Sequence, residues 1–324
     1  MKRVLVTGAT GHLGGLLVRE LCNDPTLTIR ILVLPSERLG GLDGSNVEIM
    51  CGDVRDYAAV SRAVKGCDTV FHLASLIAVS ASKPMRQRIW DVNVGGTENI
   101  ARACTEHGVG RLVYTSSSEV FKPVPATLTE TSEFDINTDF AYQISKIRAT
   151  EIVRRYHREG LDTIIVYPTA IIGPHDSRGS LFGQLVKFVT KPWRRSMPLM
   201  RCGYNFVDVR DVASGMIAAW REGASGDEYI LSGTDAPLPE VVELMAERKR
   251  KKMHITLFPI PLVKMCARVA EFFGNLFRRP SVLTRASLKV LLSGVKFSNA
   301  KAARKLNYRP RPLRKTIDDM MAEA

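Results

Sequence analysis

The chain has 324 residues, 45% of them hydrophobic and 24% charged, which is the composition of a globular protein able to bury a large core. Its net charge of +13 comes from residues 248–315, which contain 19 Lys and Arg and one acid, Glu271. The rest of the chain has 27 bases and 32 acids. The sequence has no signal peptide, no run of roughly eighteen apolar residues, no CxxC pair and no metal-ligand spacing, so we expect a reduced, cytoplasmic protein without a transmembrane helix or a metal.

The first half of the chain alternates short β-branched runs with longer amphipathic segments. Strands are predicted at 3–7, 29–34, 47–50, 69–74, 111–116 and 163–168, and helices at 14–22, 57–65, 95–107 and 142–160. Strands that read as continuous apolar runs are buried on both faces, and the helices between them imply right-handed crossovers. The pattern therefore predicts an α/β fold built on a Rossmann-type, doubly wound parallel sheet.

After Pro168 the alternation loosens into proline-rich segments, with two short predicted strands at 205–209 and 228–231. We predict two lobes. A dinucleotide-binding domain covers residues 1–173, and 205–233 returns to it. A smaller substrate-binding lobe is made of 174–204 and 234–324, and it covers the carboxyl ends of the strands, where open α/β sheets bind their ligands.

The stretch VLVTGATGHLGG places three glycines between the first strand and the first helix. In this context glycines permit a tight turn, let the backbone approach a pyrophosphate and allow close packing of the helix on the strand. The helix N-terminus adds N–H donors and a positive dipole for the phosphates. The predicted dinucleotide-binding loop, called the glycine loop below, contains Gly8, Thr10, Gly11, His12, Leu13 and Gly14.

The ends of the second and third strands bear on which dinucleotide is bound. NAD enzymes usually carry an acid at the end of the second strand, about twenty residues past the last glycine. Here the strand ends without one, and because Ser36 and Arg38 can contact a 2′-phosphate we lean toward NADP(H) over NAD(H), while Glu37 leaves NAD open. Asp53, followed by Val54, can either accept from the adenine amino group or cap the next helix.

The stretch AYQISK puts Tyr142 four residues before Lys146 on one face of a predicted helix, a spacing that is common on helix surfaces and says little alone. Together with TGATGHLG, GDVRD, FHLAS and TSSSEVF, in the same order, it resembles the extended short-chain dehydrogenase/reductases over nearly the whole chain. The resemblance implies that Ser117, Tyr142 and Lys146 are the catalytic set. Ser117 is chosen because it lies four residues before Phe121, the aromatic position of the family's SSxxVY pattern.

The resemblance also implies a chemistry for these residues. Tyr142 would donate the proton that the substrate oxygen needs after hydride transfer, and the Lys146 ammonium would lower a tyrosine pKa that is ordinarily about 10. Lys146 should also bond the nicotinamide ribose, while Ser117 donates to the substrate oxygen. Further residues implied to border the cofactor are Leu73, Ala74, Ser75, Tyr167 and Pro168.

Two branches of the superfamily fit the substrate lobe differently. Nucleotide-sugar epimerases and dehydratases carry a phosphate-gripping asparagine and arginine where this chain has Ala170 and Tyr204. YPTAIIGP and FVDVRDVA instead resemble the dihydroflavonol-reductase-like branch, a neighbour of the 3β-hydroxysteroid dehydrogenases, which implies an NAD(P)-dependent oxidoreductase acting on a fairly apolar carbonyl or alcohol. A nucleotide-sugar epimerase or dehydratase and a non-catalytic dinucleotide-binding subunit are the alternatives. The substrate-pocket candidates are Ser118, Ala170, His175, Phe182 and Tyr204.

The basic region 248–315 has two interpretations. Within 255–277 apolar residues recur at alternating steps of four and three, as on one face of a helix: Leu262, Cys266, Val269, Phe273 and Leu276. This helix either faces the core of the substrate lobe or rests on an anionic membrane, on its inner face, and delivers a hydrophobic substrate. No nucleic-acid-binding fold accompanies the charge, so nucleic acid is not an expected partner. The family resemblance implies a homodimer through helices near 95–107 and 142–158.

Overall fold

The structure, a computed structural model, describes residues 1–42, 47–77, 82–176, 180–191, 193–263, 265, 292 and 294–323. It confirms the Rossmann-type sheet, whose seven strands are all parallel. The strands are β1 (Lys2–Thr7), β2 (Leu27–Val33), β3 (Val47–Cys51), β4 (Thr69–His72), β5 (Arg111–Thr115), β7 (Thr163–Pro168) and β11 (Glu228–Leu231). Their order across the sheet is β11-β7-β5-β4-β1-β2-β3.

Helices cover both faces of this sheet, as the apolar strands require. They are α1 (His12–Cys22), α2 (Tyr57–Val64), α3 (Lys83–Trp90), α4 (Gly96–Glu106), α5 (Ala141–Arg158) and α7 (Val209–Glu222). A π-helical turn, Asp91–Gly95, joins α3 to α4, and a 3₁₀ turn, Ser118–Val120, follows β5. Strand β1 shows why both faces are apolar: Val4 and Val6 pack toward α1 and α7, while Leu5 packs into the opposite core with α2, α4 and α5.

Outside the large sheet and the helices on its faces, the described residues form short strands and four further helices. Strands β8 (Ala170–Ile172), β10 (Gly203–Asp208) and β12 (Thr234–Pro237) form one sheet, β9 (Ser196–Leu199) pairs with β13 (His254–Leu257), and β6 (Thr127–Leu128) pairs with β14 (Lys296–Phe297). The helices are α6 (Leu181–Thr190), α8 (Leu238–Arg248), α9 (Ala300–Leu306) and α10 (Leu313–Ala322). A core separate from those of the large sheet holds α6, α8 and α10 against β10.

The junction between β10 and α7 carries a dense ion-pair network. Asp208 caps α7 by accepting from the backbone N–H of Arg210 at 2.8 Å, and the Arg210 side chain pairs with both Asp208 and Asp319 of α10. Asp211, in the first turn of α7, accepts from the Arg311 side chain and backbone. These partly buried pairs hold the C-terminal helix of the small lobe against the large sheet.

The segment 203–257 departs from the predicted layout in two places. The strand predicted at 205–209 exists as β10, but it pairs with β8 and β12 in the small lobe, whereas α7 and β11 do return to the large sheet. The beginning of the predicted amphipathic segment 255–277 belongs to β13, and 264 and 266–291 lie outside the described residues. Among the described helices, none combines the length and the hydropathy needed to cross a bilayer.

Candidate active site

The glycine loop turns tightly between β1 and α1. Gly8 has φ of +72°, in the left-handed region, and a Cβ there would lie 2.7 Å from the backbone nitrogen of Ala74. A Cβ on Gly14 would lie 2.1 Å from the carbonyl oxygen of Gly8. Gly11 is the N-cap residue of α1, and no side chain caps the first turn by a hydrogen bond. The loop therefore offers uncapped helix N–H groups in a cradle free of side chains, which fits a pyrophosphate.

The other loop residues connect the cradle to its surroundings. The His12 Nε2 atom lies 2.7 Å from the carbonyl oxygen of Pro174, and Leu13 is buried in the core beneath the loop. The Thr10 hydroxyl donates to Glu37 Oε2 at 2.6 Å. Glu37, which leaves NAD open in the sequence, lies beside the loop because its N–H donates to the carbonyl of Leu34 in a turn.

The predicted 2′-phosphate contacts and adenine contact have different surroundings. Ser36 and Arg38 are exposed. Asp53 pairs with Arg55 at 2.6 Å, and this hydrogen bond holds the pKa of the Asp53 carboxyl below its usual range. The alternative that Asp53 caps α2 is wrong, because Asp56 accepts from the N–H of Ala58 and fills that place.

The end of β4 lies against the glycine loop. The backbone N–H of Leu73 donates to the carbonyl of Thr7, and that of Ala74 donates to the Thr7 hydroxyl. These two hydrogen bonds fix the backbone on the side of the loop where the resemblance places the nicotinamide half of the cofactor. Val54 lies elsewhere, three residues past the end of β3 at the edge of the sheet, with its side chain in the core and its carbonyl bonded to Asn99 Nδ2 at 2.9 Å.

A buried amide, Asn93, organises the loop after β4, and sequence reasoning missed it. Its Oδ1 accepts from the N–H of Leu76 at 2.7 Å and from the Ser75 hydroxyl, and its Nδ2 donates to the carbonyl of Leu76 and to the Ser145 hydroxyl at 2.9 Å. The only sequence signal is a lone amide among the small and apolar residues of DVNVGGT. Asn93 ties this loop to α5, the helix that carries Tyr142 and Lys146.

The three predicted catalytic residues come together where β5 ends and α5 begins. Ser117 caps the 3₁₀ turn and lies close enough to the hydroxyl of the buried Tyr142 to lower its pKa. Lys146, one helical turn further, donates from Nζ to the carbonyl of Thr115 at 2.9 Å. Tyr142 and Lys146 are only 7% and 3% exposed, so both polar groups work in a desolvated site.

The geometry also distinguishes the serines of the run. The Ser116 hydroxyl forms a hydrogen bond of 2.7 Å with the hydroxyl of Thr150, a residue of α5, and so lies away from Tyr142. Ser118 is buried in the wall of the adjoining cavity. The structure therefore brings Ser117, and not Ser116, to the hydroxyl of Tyr142.

The electrostatics of the pair differ from the expected lowering of the tyrosine pKa. Burial, followed by the neighbouring Glu119 carboxyl, raises the pKa of Tyr142 above its usual value, and the Ser117 hydrogen bond only partly opposes this. Burial also lowers the pKa of Lys146 to about 7. In the protein alone, loss of hydration affects the pKa values of Tyr142 and Lys146 more than the interaction between the two side chains does. The phenol of Tyr142 therefore keeps its proton, and the amine of Lys146 gives its proton up readily.

Lys146→Met should raise the free energy of unfolding most near neutral pH. An unfolded lysine has a pKa of 10.5, so between pH 7 and 10.5 the unfolded state binds a proton that the native state releases. The destabilisation by Lys146 is thus complete below about pH 7, falls by about 1.4 kcal/mol per pH unit and disappears above about pH 10.5. Urea unfolding of variant and wild type at pH 7 and pH 10 measures this.

The exposed Lys2 provides the control, since Lys2→Met should change stability equally at both pH values. A gap between wild type and Lys146→Met that stays constant from pH 7 to pH 10 would contradict the lowered pKa.

The predicted substrate-pocket residues separate into two groups. Ser118 and Tyr204 line one cavity. Phe182 packs edge to face on Phe206, with ring centroids 5.2 Å apart, and Ala170 belongs to the same small-lobe core. His175 is paired with Glu323 of the C-terminus and borders the glycine loop rather than this cavity. Adjacency in sequence was a poor guide for these three, because Ala170 and Phe182 pack into the small-lobe core and His175 lies beside the glycine loop.

The cavity lies between the 3₁₀ turn and the small lobe and has a volume of about 50 Å³; a larger cavity of about 630 Å³ shares Gly203, Tyr204 and Val295 with it. The apolar wall of the first cavity comes chiefly from β6, β14 and the chain after the 3₁₀ turn. Polar side chains interrupt the lining on the side of the catalytic residues, because Ser118 follows Ser117 and Gln143 follows Tyr142. The lining residues are Ser118, Glu119, Phe121, Pro123, Leu128, Asp135, Gln143, Gly203, Tyr204, Asn205, Val295 and Phe297.

Glu119 is the residue of this wall that sequence reasoning missed. Its Oε1 accepts from the Tyr204 hydroxyl at 3.0 Å, across 85 residues of sequence. Burial raises the pKa of the Glu119 carboxyl, and the Tyr204 hydrogen bond opposes the rise. Within TSSSEVF the acid resembles an ordinary turn residue, and nothing local signals its partner.

At the end of β7, Tyr167 does not direct its side chain to the glycine loop. Its hydroxyl donates to Glu228 Oε2 at 2.7 Å, and its ring lies 5.0 Å from that of Phe121. The alternation of side chains along a strand turns Tyr167 into the core beneath α5. Tyr167 can therefore border a cofactor only through its backbone at the strand end.

Known proteins match this chain along most of its length. The model of the NAD dependent epimerase/dehydratase family matches residues 4–232. Sterol demethylase protein B of Methylococcus capsulatus is 30% identical over 98% of this chain and 97% of its own length. The 3beta-hydroxysteroid-dehydrogenase/decarboxylase isoform 1 of Arabidopsis thaliana is 28% identical over 97% of this chain and 78% of its own length.

A solved structure shares the fold at low identity. UDP-glucuronic acid 4-epimerase from Bacillus cereus, in complex with UDP-glucuronic acid and NAD, superposes with a TM-score of 0.81 over 99% of this chain and 98% of that chain, at 16% identity. The family match spans the large sheet, the glycine loop and the Ser117, Tyr142 and Lys146 cluster. This chain therefore belongs to the NAD-dependent epimerase/dehydratase family of extended short-chain dehydrogenase/reductases.

Proposed function

We propose that this chain, an NAD(P)-dependent oxidoreductase of the extended short-chain dehydrogenase/reductase type, transfers a hydride between nicotinamide and a fairly apolar carbonyl or alcohol. The observation that carries the proposal is the Ser117, Tyr142 and Lys146 cluster beside a largely apolar cavity. Relatives named for sterol demethylation and 3beta-hydroxysteroid dehydrogenation support an apolar substrate class.

The residues of the chain divide the work. The glycine loop is suited to the pyrophosphate of the dinucleotide, whose nicotinamide supplies or accepts the hydride when bound. In the direction of reduction Tyr142 holds its proton in the desolvated site and donates it to the substrate oxygen, which the Ser117 hydroxyl orients. Lys146, fixed by the carbonyl of Thr115, supplies the adjacent amine with a pKa of about 7.

The form of the cofactor is a finer proposal. NADP(H) over NAD(H) rests on Ser36 and Arg38, which are exposed beside the strand end and free to meet a 2′-phosphate. The opposing feature is Glu37, which Thr10 holds next to the glycine loop, where a carboxylate suits a ribose hydroxyl. Fluorescence titration with NADPH and NADH tests this, and tighter binding of NADH would contradict the preference.

Assembly and location are further proposals. A homodimer through α4 and α5 is expected from the family resemblance, and sedimentation equilibrium at the mass of a monomer would contradict it.

We also propose a cytoplasmic protein whose basic region 248–315 contacts an anionic membrane. Exposed apolar side chains follow the basic cluster 247–252, namely Leu257, Phe258, Ile260, Leu262 and Met265. Sedimentation with anionic but not neutral liposomes is expected, and binding to neither would end the idea.

A carbonyl panel combined with nucleotide melting tests the catalytic proposal against the nucleotide-sugar alternative. Purified protein should consume NADPH or NADH with some aliphatic, aryl or steroid ketone or aldehyde, whereas UDP and dTDP should leave the melting temperature unchanged. Tyr204, near where the resemblance places the arginine that grips a nucleoside diphosphate, bonds Glu119 instead. Stabilisation by UDP or dTDP at micromolar concentration, without carbonyl reduction, would favour an epimerase or dehydratase. Dinucleotide binding with neither response would favour the non-catalytic subunit.

A further inference from the structure

The carboxyl group of Glu119 stands in a wall where a carboxyl is energetically unfavourable. The side chain lines the cavity beside Phe121, Leu128 and Phe297 and is partly buried. Burying a carboxyl among apolar groups is unfavourable unless it is paired, and its pKa is accordingly raised. An apolar residue would pack this wall with less penalty, so the presence of an acid requires an explanation.

The contacts of Glu119 within the chain use only part of its bonding capacity. Oε1 accepts from the Tyr204 hydroxyl, and within the described part of the chain the structure assigns no hydrogen-bond partner to Oε2. A carboxyl has lone pairs for about four hydrogen bonds, so acceptor capacity is left for a group inside the cavity. No Lys or Arg occurs among the residues that line it.

The position of Glu119 relates it to the reaction. It lies two residues after Ser117, whose hydroxyl accepts from the N–H of Glu119 at 3.2 Å, and it interacts electrostatically with Tyr142. A substrate whose reacting oxygen meets Ser117 and Tyr142 therefore passes this carboxyl. An acceptor without a neighbouring cation repels anionic groups and suits a neutral hydrogen-bond donor such as a hydroxyl group.

We propose, on the basis of the proposed function, that the substrate carries a hydroxyl group in addition to its reacting carbonyl or alcohol, and that Glu119, held by Tyr204, binds this hydroxyl. The apolar wall then accepts the hydrocarbon body, and the Glu119 and Tyr204 pair selects hydroxylated ketones, or the corresponding diols, over simple ones. A site built to bond a substrate hydroxyl discriminates strongly against analogues that lack it.

The experiment compares two parent ketones, cyclohexanone and 5α-androstan-3-one, with analogues of each that carry one hydroxyl group at different positions. The quantity measured is the ratio of kcat/KM for the hydroxylated form to that for its parent. Wild type should prefer at least one hydroxylated form by on the order of 10-fold to 100-fold. The ratio should fall toward one in Glu119→Leu, whereas Glu119→Gln and Tyr204→Phe should keep part of the preference.

A matched control separates recognition from a general effect of removing an acid. The side chain of Glu133 is 85% exposed, and Glu133→Gln should keep the wild-type ratio. If the Glu119 and Tyr204 contact only braces the two lobes, its variants will lower kcat/KM for parent and hydroxylated ketones alike and leave the ratio unchanged.

Turnover of the ketones with a ratio near one in wild type, or with a ratio that Glu119→Leu and Glu119→Gln do not change, would overturn this inference and leave the proposed function standing. Failure to reduce any member of the wider carbonyl panel would overturn the proposed function, and the inference with it. Because Gln preserves the shape of Glu, Glu119→Gln still shows whether the carboxyl determines the kcat/KM ratio if the leucine variant does not fold.

Discussion

Tyr142→Phe is expected to abolish turnover while cofactor affinity stays within about twofold of wild type. The substitution removes the phenolic proton that lies beside Ser117 and Lys146, and a positioned proton donor contributes on the order of 10²- to 10⁴-fold to rate. The ring remains packed near Phe140, with centroids 6.0 Å apart, so the fold should tolerate the loss of one hydroxyl. Steady-state kinetics with the best ketone and fluorescence titration of the cofactor measure the two quantities.

Tyr156→Phe is the matched control for this experiment. Tyr156 lies on the same helix and its hydroxyl donates to Glu98 at 2.7 Å, away from the cavity, so its removal should leave kcat close to wild type. Unchanged turnover in Tyr142→Phe would contradict the assigned role of the tyrosine.

Gly14→Ala should cause the largest loss of cofactor affinity, by more than roughly tenfold, together with a loss of about 1–3 kcal/mol in the free energy of unfolding. The new Cβ would meet the carbonyl oxygen of Gly8 at 2.1 Å, and that backbone atom can move only if the glycine loop moves with it. Cofactor titration and urea unfolding would measure both effects.

Gly15→Ala, one position further along α1, is the control. Its Cβ would meet only the carbonyl oxygen of Ala9 at 3.5 Å, an ordinary contact, and alanine in a helix interior stabilises by up to about 1 kcal/mol relative to glycine. Equal stability and equal cofactor affinity in the two variants would contradict the close helix packing that Gly14 provides.

The large sheet could be predicted from the sequence because its strands are coded locally. Val4, Leu5 and Val6 are apolar in succession, and α1, one of the helices that cover them, follows a few residues later along the chain. The small lobe could not be predicted in the same way. Its strands are two to six residues long, and β6 pairs with β14 across most of the second half of the chain, Thr127 opposite Lys296.

The site divides along the same line. Ser117, Tyr142 and Lys146 could be predicted from the sequence, because short motifs mark all three. Ser117 follows the end of β5, and Tyr142 and Lys146 lie on adjacent turns of α5. Glu119 was not, because only its contact with Tyr204 distinguishes it from a turn residue. Asn93 likewise acquires meaning only when β4, the π-helical turn and α5 come together.

The most direct test of the account is to follow the hydride itself. The purified protein is given nicotinamide cofactor deuterated at the transferable C4 position together with the ketone that it reduces best, and the alcohol product is examined by mass spectrometry. One deuterium is expected to move from the cofactor to the carbinol carbon of the product, and Tyr142→Phe should prevent this transfer. A product without deuterium, or transfer at the wild-type rate in Tyr142→Phe, would contradict the proposed mechanism.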